Sequence, residues 1–136
     1  MTARSRLADR RVCLTYDFEH AGIVYTATAG FYGHGRLGEL FLGCKHLVSS
    51  GADATANEIG YLASLALQHG CSLETIATAL PHDNEGKPAS ILGVAIARLG
   101  TDPWSEVQRV MVRTEPEEGA DIVVVRTDPA PTEAAQ

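Results

Sequence analysis

The sequence predicts an α+β domain in which a three-stranded antiparallel meander packs against two or three helices, with a C-terminal hairpin as a further candidate element. Three observations carry this reading. Apolar and polar residues alternate through residues 12–19, the signature of a strand with one wet face. Two more β-prone runs follow across short glycine-containing turns. Beyond Gly51 the apolar period lengthens from two residues to that of a helix. With 136 residues, 45% of them apolar and 21% charged, the chain can bury one core without disulfides or metal, and a multidomain enzyme is excluded.

In the first strand Val12, Leu14, Tyr16 and Phe18 are expected to face the core. His20-Ala21-Gly22 makes the turn into a second strand over Ile23 to Phe31, rich in β-branched and aromatic residues. Tyr32-Gly33-His34-Gly35 turns the chain into a third strand, from Arg36 to Gly43. Thr55-Ala56-Asn57-Glu58 has the form of a capping box, so a helix is predicted from Thr55 to His69 and stopped by Gly70. Its core face would be Ile59, Leu62, Ala63, Ala66 and Leu67. A second, short helix runs from the Ser72 cap to Leu80, where Pro81 ends it. A third spans Ser90 to Leu99 with Gly100 beyond its end. Two readings of the tail stay open. Val107–Thr114 and Ala120–Thr127 can pair as a hairpin across a Pro- and Gly-containing loop, or Trp104–Val112 can form an amphipathic helix.

The charge of −6 is unevenly spread. Residues 102–136 hold eight acids against three arginines, whereas residues 1–101 hold nine acids and eight bases, four of them being Arg4, Arg6, Arg10 and Arg11. The chain thus divides into a basic leader (1–10), a near-neutral domain (11–101), an acidic extension (102–127) and a disordered tail (128–136). A chain cut after residue 101 is expected to fold. Between Val12 and Thr101 only Arg36, Lys45, Lys87 and Arg98 oppose eight acids, too few for a phosphate-tracking stripe, so double-stranded nucleic acid is not expected as a partner. No apolar run has the length of a membrane span and the leader lacks an apolar core, so no membrane association and a cytoplasmic location are expected. Three widely spaced cysteines argue for reduced thiols.

Candidate chemistry is sparse. Cys44 and His46, with His69 and Cys71, are two thiols and two imidazoles of the kind zinc accepts, but a single residue within each pair leaves little room to converge on one ion. The competing reading makes the cysteines small hydrophobes and places His69 at a helix C-terminus. Ser49 and Ser50 lie between a strand and a helix, where a nucleophile, an anion-binding loop or simply a cap would sit, with Asp17, His20 and His34 as ionisable neighbours in sequence. No nucleophile elbow and no phosphate-cradling loop with its lysine is present, so no catalytic residue is assigned. Arg36, Glu39 and Lys45 are read as a solvated face or a partner surface, and Trp104 as a cover for the core or a partner anchor.

Several strings carry a family resemblance. Gly35-Arg36-Leu37-Gly38-Glu39-Leu40-Phe41-Leu42, Ser49-Ser50-Gly51-Ala52-Asp53 and Ala63-Ser64-Leu65-Ala66-Leu67-Gln68-His69-Gly70-Cys71-Ser72-Leu73-Glu74-Thr75-Ile76 resemble the TSCPD domain family, over about residues 11–100. Such domains occur at the C-terminus of adenosylcobalamin-dependent (class II) ribonucleotide reductases and as short standalone proteins, to which this chain is more similar. The string that names the family is altered here. Ala95-Ile96-Ala97-Arg98 is present, but Leu92, Gly93 and Val94 stand where the family has cysteine, proline and aspartate, so any role of that thiol is lost.

What the resemblance implies is a small accessory, binding or assembly module of deoxyribonucleotide metabolism, not itself catalytic, with a reductase or another protein as partner. A homodimer through an uncovered strand edge or helix face is a further implied arrangement. A reductase needs a large barrel for its thiyl radical and a pair of reducing thiols, and 136 residues cannot supply them. No cofactor is expected, and cobalamin would be met only through a partner. Two alternatives stand beside this reading: a nucleotide- or cobalamin-binding subunit of a split ribonucleoside-diphosphate reductase, and a zinc-stabilised regulator built on Cys44, His46, His69 and Cys71.

Overall fold

The computed structural model describes residues 3–111 and 123–126. Three antiparallel strands, β1 (Val12–His20), β2 (Ile23–Phe31) and β3 (Leu37–Cys44), form the meander the alternation predicts. Ala21 and Gly22 both have positive φ, 51° and 79°, as the tight two-residue turn between twisted strands requires. His20 faces Ile23, Tyr16 faces Ala27 and Ala29 faces Leu40, so one sheet face collects Leu14, Tyr16, Phe18, Tyr25, Ala27, Ala29, Phe31, Leu40 and Leu42, all buried. Val12 is half-buried at the margin of that face. A register shift at Gly30/Phe31 inserts Gly38 as an extra residue in β3.

Helix α1 (Gly51–Gln68) begins four residues before the predicted start. Its cap is Ser50, whose hydroxyl accepts the Asp53 N–H at 3.1 Å, and Thr55 lies inside the helix with its hydroxyl donating back to the Gly51 carbonyl. The capping-box pattern at Thr55 thus loses to an earlier serine. Helix α2 (Leu73–Ala79) is capped by Ser72, as read from sequence; helix α3 (Ile91–Leu99) is closed by Gly100 at φ 82°, also as read, and Ser90, taken there as its first residue, is its cap. Tyr16 donates its hydroxyl to the Ala95 carbonyl at 2.6 Å and so ties α3 to the inner face of β1.

Of the two readings of the tail, the helix holds: α4 covers Pro103–Met111. Residues 112–122 of the alternative hairpin, and the tail from 127, lie outside the described residues. Val123–Arg126 form β4, which pairs parallel with β1, Val12 opposite Val123, giving the order β3-β2-β1-β4. The core also runs past residue 101, because Val107 is fully buried in it and Trp104 packs on Phe31 with ring centroids 5.4 Å apart. The near-neutral stretch is therefore not the limit of the packed unit.

The leader is held in place as well. Ser5 donates its N–H to the Gln68 carbonyl at 2.8 Å, Arg4 donates to Gln68 Oε1 at 2.7 Å, and Tyr32 donates its hydroxyl to the Ser5 carbonyl. Among the described residues no helix is long and apolar enough to cross a membrane.

Candidate interaction surface

β3 is an edge strand, and α1 lies along that edge. In an antiparallel pair alternate residues turn their N–H and C=O away from the neighbour, and in β3 those are Leu40, Leu42 and Cys44. Asp53 Oδ1 accepts the Cys44 N–H at 2.8 Å, Ser64 Oγ accepts the Leu40 N–H at 2.9 Å, and Gln68 Nε2 donates to the Gly38 carbonyl at 3.1 Å. Between them Gly60 lets the helix backbone come close, since a Cβ there would lie 2.9 Å from the Leu40 oxygen and 3.0 Å from the Leu42 nitrogen. Spacings of seven, four and four residues place Asp53, Gly60, Ser64 and Gln68 on one stripe of the helix. The helix thereby replaces a missing strand and closes the β3 edge to sheet extension by a second copy.

This arrangement accounts for most of the residues singled out from sequence. Ser49 and Ser50 do not frame an anion site or a nucleophile. The Ser49 N–H donates to Asp53 Oδ2 at 2.8 Å, so the loop's amides already hold a carboxylate from the chain itself, and Ser50 is the helix cap. Those amide bonds, first from Cys44 and then from Ser49, hold the Asp53 carboxyl below the usual carboxylate range. His34 lies in the turn at the opposite end of β2 and β3, roughly 25 Å away by strand rise.

Cys44 sits beside the N-terminal turn of α1 and His69 caps its C-terminus, so Cys44/His46 and His69/Cys71 are separated by roughly 24 Å of helix and cannot share an ion. Among the described residues no group of three or more His, Cys, Asp or Glu is placed to hold a metal.

Glu39 corrects the expectation of a solvated face. It is 4% exposed, lies across Gly30 and pairs with the Arg11 guanidinium. That hydrogen bond, offset in part by burial, raises the Arg11 pKa. Burial, with the nearby Glu39 charge second, pushes the adjacent Cys13 thiol up, which keeps it protonated and unreactive. Lys45 is exposed and pairs with Asp17 at 2.6 Å, while Arg36 donates to the Leu67 carbonyl at 3.3 Å. Trp104 covers the core, since its indole lies over Gly35 and against Phe31.

The surface that sequence reasoning missed lies on the solvent side of α1. Because the polar stripe is turned to β3, Leu62 falls about 200° around the helix from Gly60, away from the core where its spacing had placed it. It is 62% exposed, next to Tyr61 at 60% and Leu65 at 40%. Tyr61 meets Phe41 of β3 edge-on at 5.9 Å, so the four form one apolar surface spanning helix and sheet. The cue in sequence was an excess of apolar residues: Ile59, Tyr61, Leu62, Leu65 and Leu67 cannot all fit the face of one helix that also presents Asp53, Ser64 and Gln68 inward.

No family model, curated protein or solved structure matches the chain.

Proposed function

We propose that this protein is a small binding or assembly module that acts by contacting a protein partner and performs no catalysis itself. The observation that carries the reading is the contiguous exposed apolar surface of Phe41, Tyr61, Leu62 and Leu65. Clustered aromatic and aliphatic side chains on a rigid helix and strand are what protein interfaces use as anchors. The partner we favour is an adenosylcobalamin-dependent ribonucleotide reductase, a choice that rests on the TSCPD resemblance alone and brings with it a cytoplasmic location.

The test is association with a class II reductase lacking its own C-terminal domain, followed by size-exclusion chromatography and interferometry. A complex is expected, and Leu62→Glu together with Leu65→Glu should weaken it at least tenfold, while Thr78→Glu on the exposed side of α2 leaves it intact. A reductase that ignores the protein, or a complex indifferent to the Leu62 and Leu65 changes, would overturn the proposal.

A further inference from the structure

Between α2 and α3 runs an open groove of about 540 Å³, walled by Leu73, Glu74 and Ala77 on one side and by Ile96, Ala97 and Gly100 on the other. Ala77, Ala97 and Gly100 put little bulk into the groove, and the lining is mostly apolar. That volume falls within the range of small-molecule sites, about 300–1,000 Å³.

The lining carries one charged side chain, and it is an acid. That residue, Glu74, stands in the first turn of α2, at the positive end of that helix's dipole, while the opposite wall ends at the C-terminus of α3, the negative end of its own, so the two helix ends offset one another and the carboxylate sets the sign. Arg98, the cation of that last turn, does not line the groove, and its field reaches the Tyr16 phenol on the core side. An anionic occupant would meet the Glu74 carboxylate, and a purely apolar one would leave it unused.

We propose that this groove binds a small molecule with an apolar body and a single cationic head, an arylalkyl or alkyl amine, whose ammonium pairs with Glu74 while its stem lies against Leu73, Ala77, Ile96 and Ala97. The site is separate from the apolar surface on α1 and β3, so it stands or falls independently of the partner reading.

The experiment is an amide NMR titration of the full chain at low ionic strength with 4-phenylbutylamine, 4-phenylbutanol and 4-phenylbutyrate, which share one body and differ in head charge. Saturable shifts at Ala77, Ala97 and Gly100 are expected. The amine should bind up to about fivefold more tightly than the alcohol, which is what an exposed ion pair contributes, and the carboxylate most weakly. Raising the salt or making the near-isosteric Glu74→Gln change should bring amine and alcohol together. Ala97→Trp, at an exposed position, should fill the groove and abolish binding of all three, with folding checked by circular dichroism. Equal affinity for amine and alcohol in the native chain, shifts confined to other elements, or no saturation would overturn the proposal. So would an amine preference that survives Glu74→Gln, a measurement that does not depend on the tryptophan variant folding.

Discussion

Ser64 on α1 joins both backbone groups of Leu40 on β3: its hydroxyl oxygen accepts the Leu40 N–H at 2.9 Å, and its proton is shared between the carbonyls of Gly60, at 2.8 Å, and Leu40, at 3.2 Å. One small side chain thus closes part of a sheet edge that would otherwise be left dry and unpaired. Ser64→Ala removes the acceptor and strands the buried Leu40 N–H, so a loss of about 1–3 kcal/mol is expected. Urea denaturation with an unchanged slope is the check, and a variant as stable as the parent would show that water replaces the hydroxyl.

Gly60 sets two effects against each other. Alanine favours a helix interior over glycine by about 1 kcal/mol. A Cβ 2.9 Å from a backbone oxygen has no flexible neighbour to displace, and overpacking of this kind costs about 1–3 kcal/mol. Gly60→Ala is therefore expected to lower the melting temperature despite the gain in propensity, whereas Gly51→Ala, with open space around its Cβ, should not.

Asp53 makes stability depend on acid. Its folded-state pKa is depressed by the amides of Cys44 and Ser49, so its contribution is complete above the unfolded value of about 3.9 and is lost as pH falls through the lower folded value. Asp83, held down by the amides of Lys87 and Glu85, acts in the same direction. Melting curves from pH 7 to pH 2 should show Asp53→Asn less stable at neutral pH and flatter in acid than the parent. Parallel curves would mean that the carboxylate is not what ties β3 to α1.

The part-buried Arg11–Glu39 pair and the more exposed Lys45–Asp17 pair should differ in weight. Glu39→Ala removes the buried carboxylate from a half-buried guanidinium, 24% exposed, and is expected to cost about 1–3 kcal/mol. Lys45→Ala removes a pair whose partners are 46% and 27% exposed, and should change stability by no more than about 1 kcal/mol. Chemical denaturation of the two variants side by side measures the difference, and equal losses would contradict the burial argument.

Val107 tests where the packed unit ends. It is fully enclosed, so Val107→Ala should cost about 2 kcal/mol. A chain cut after residue 101 also loses Trp104 from Phe31 and should melt at a lower temperature than the full chain. Truncation without effect would restore the boundary suggested by charge.

The strands and helix caps were legible because their signals are local. Alternation set the inward residues of β1, and Ser72 and Ser90 marked the starts of α2 and α3. The start of α1 was misplaced because Ser50 and Thr55 both offer cap chemistry, and the choice fell to Asp53, which can reach Cys44 only if the helix begins early. Glu39 looked like a surface charge until Arg11, 28 residues away in sequence, closed over it.

By itself the sequence determined the meander, the order of elements as far as α3 and the buried face of β1, since each depends on a period of two or 3.6 residues within one segment. The tertiary structure decided which side of α1 meets the protein. A free strand edge must have its backbone groups satisfied, and only the helix stripe of Asp53, Ser64 and Gln68 could do so, at the cost of turning Tyr61, Leu62 and Leu65 to solvent. The exposed apolar surface is the counterpart of that polar seam, and hydrophobic periodicity read along the helix alone could not foresee it.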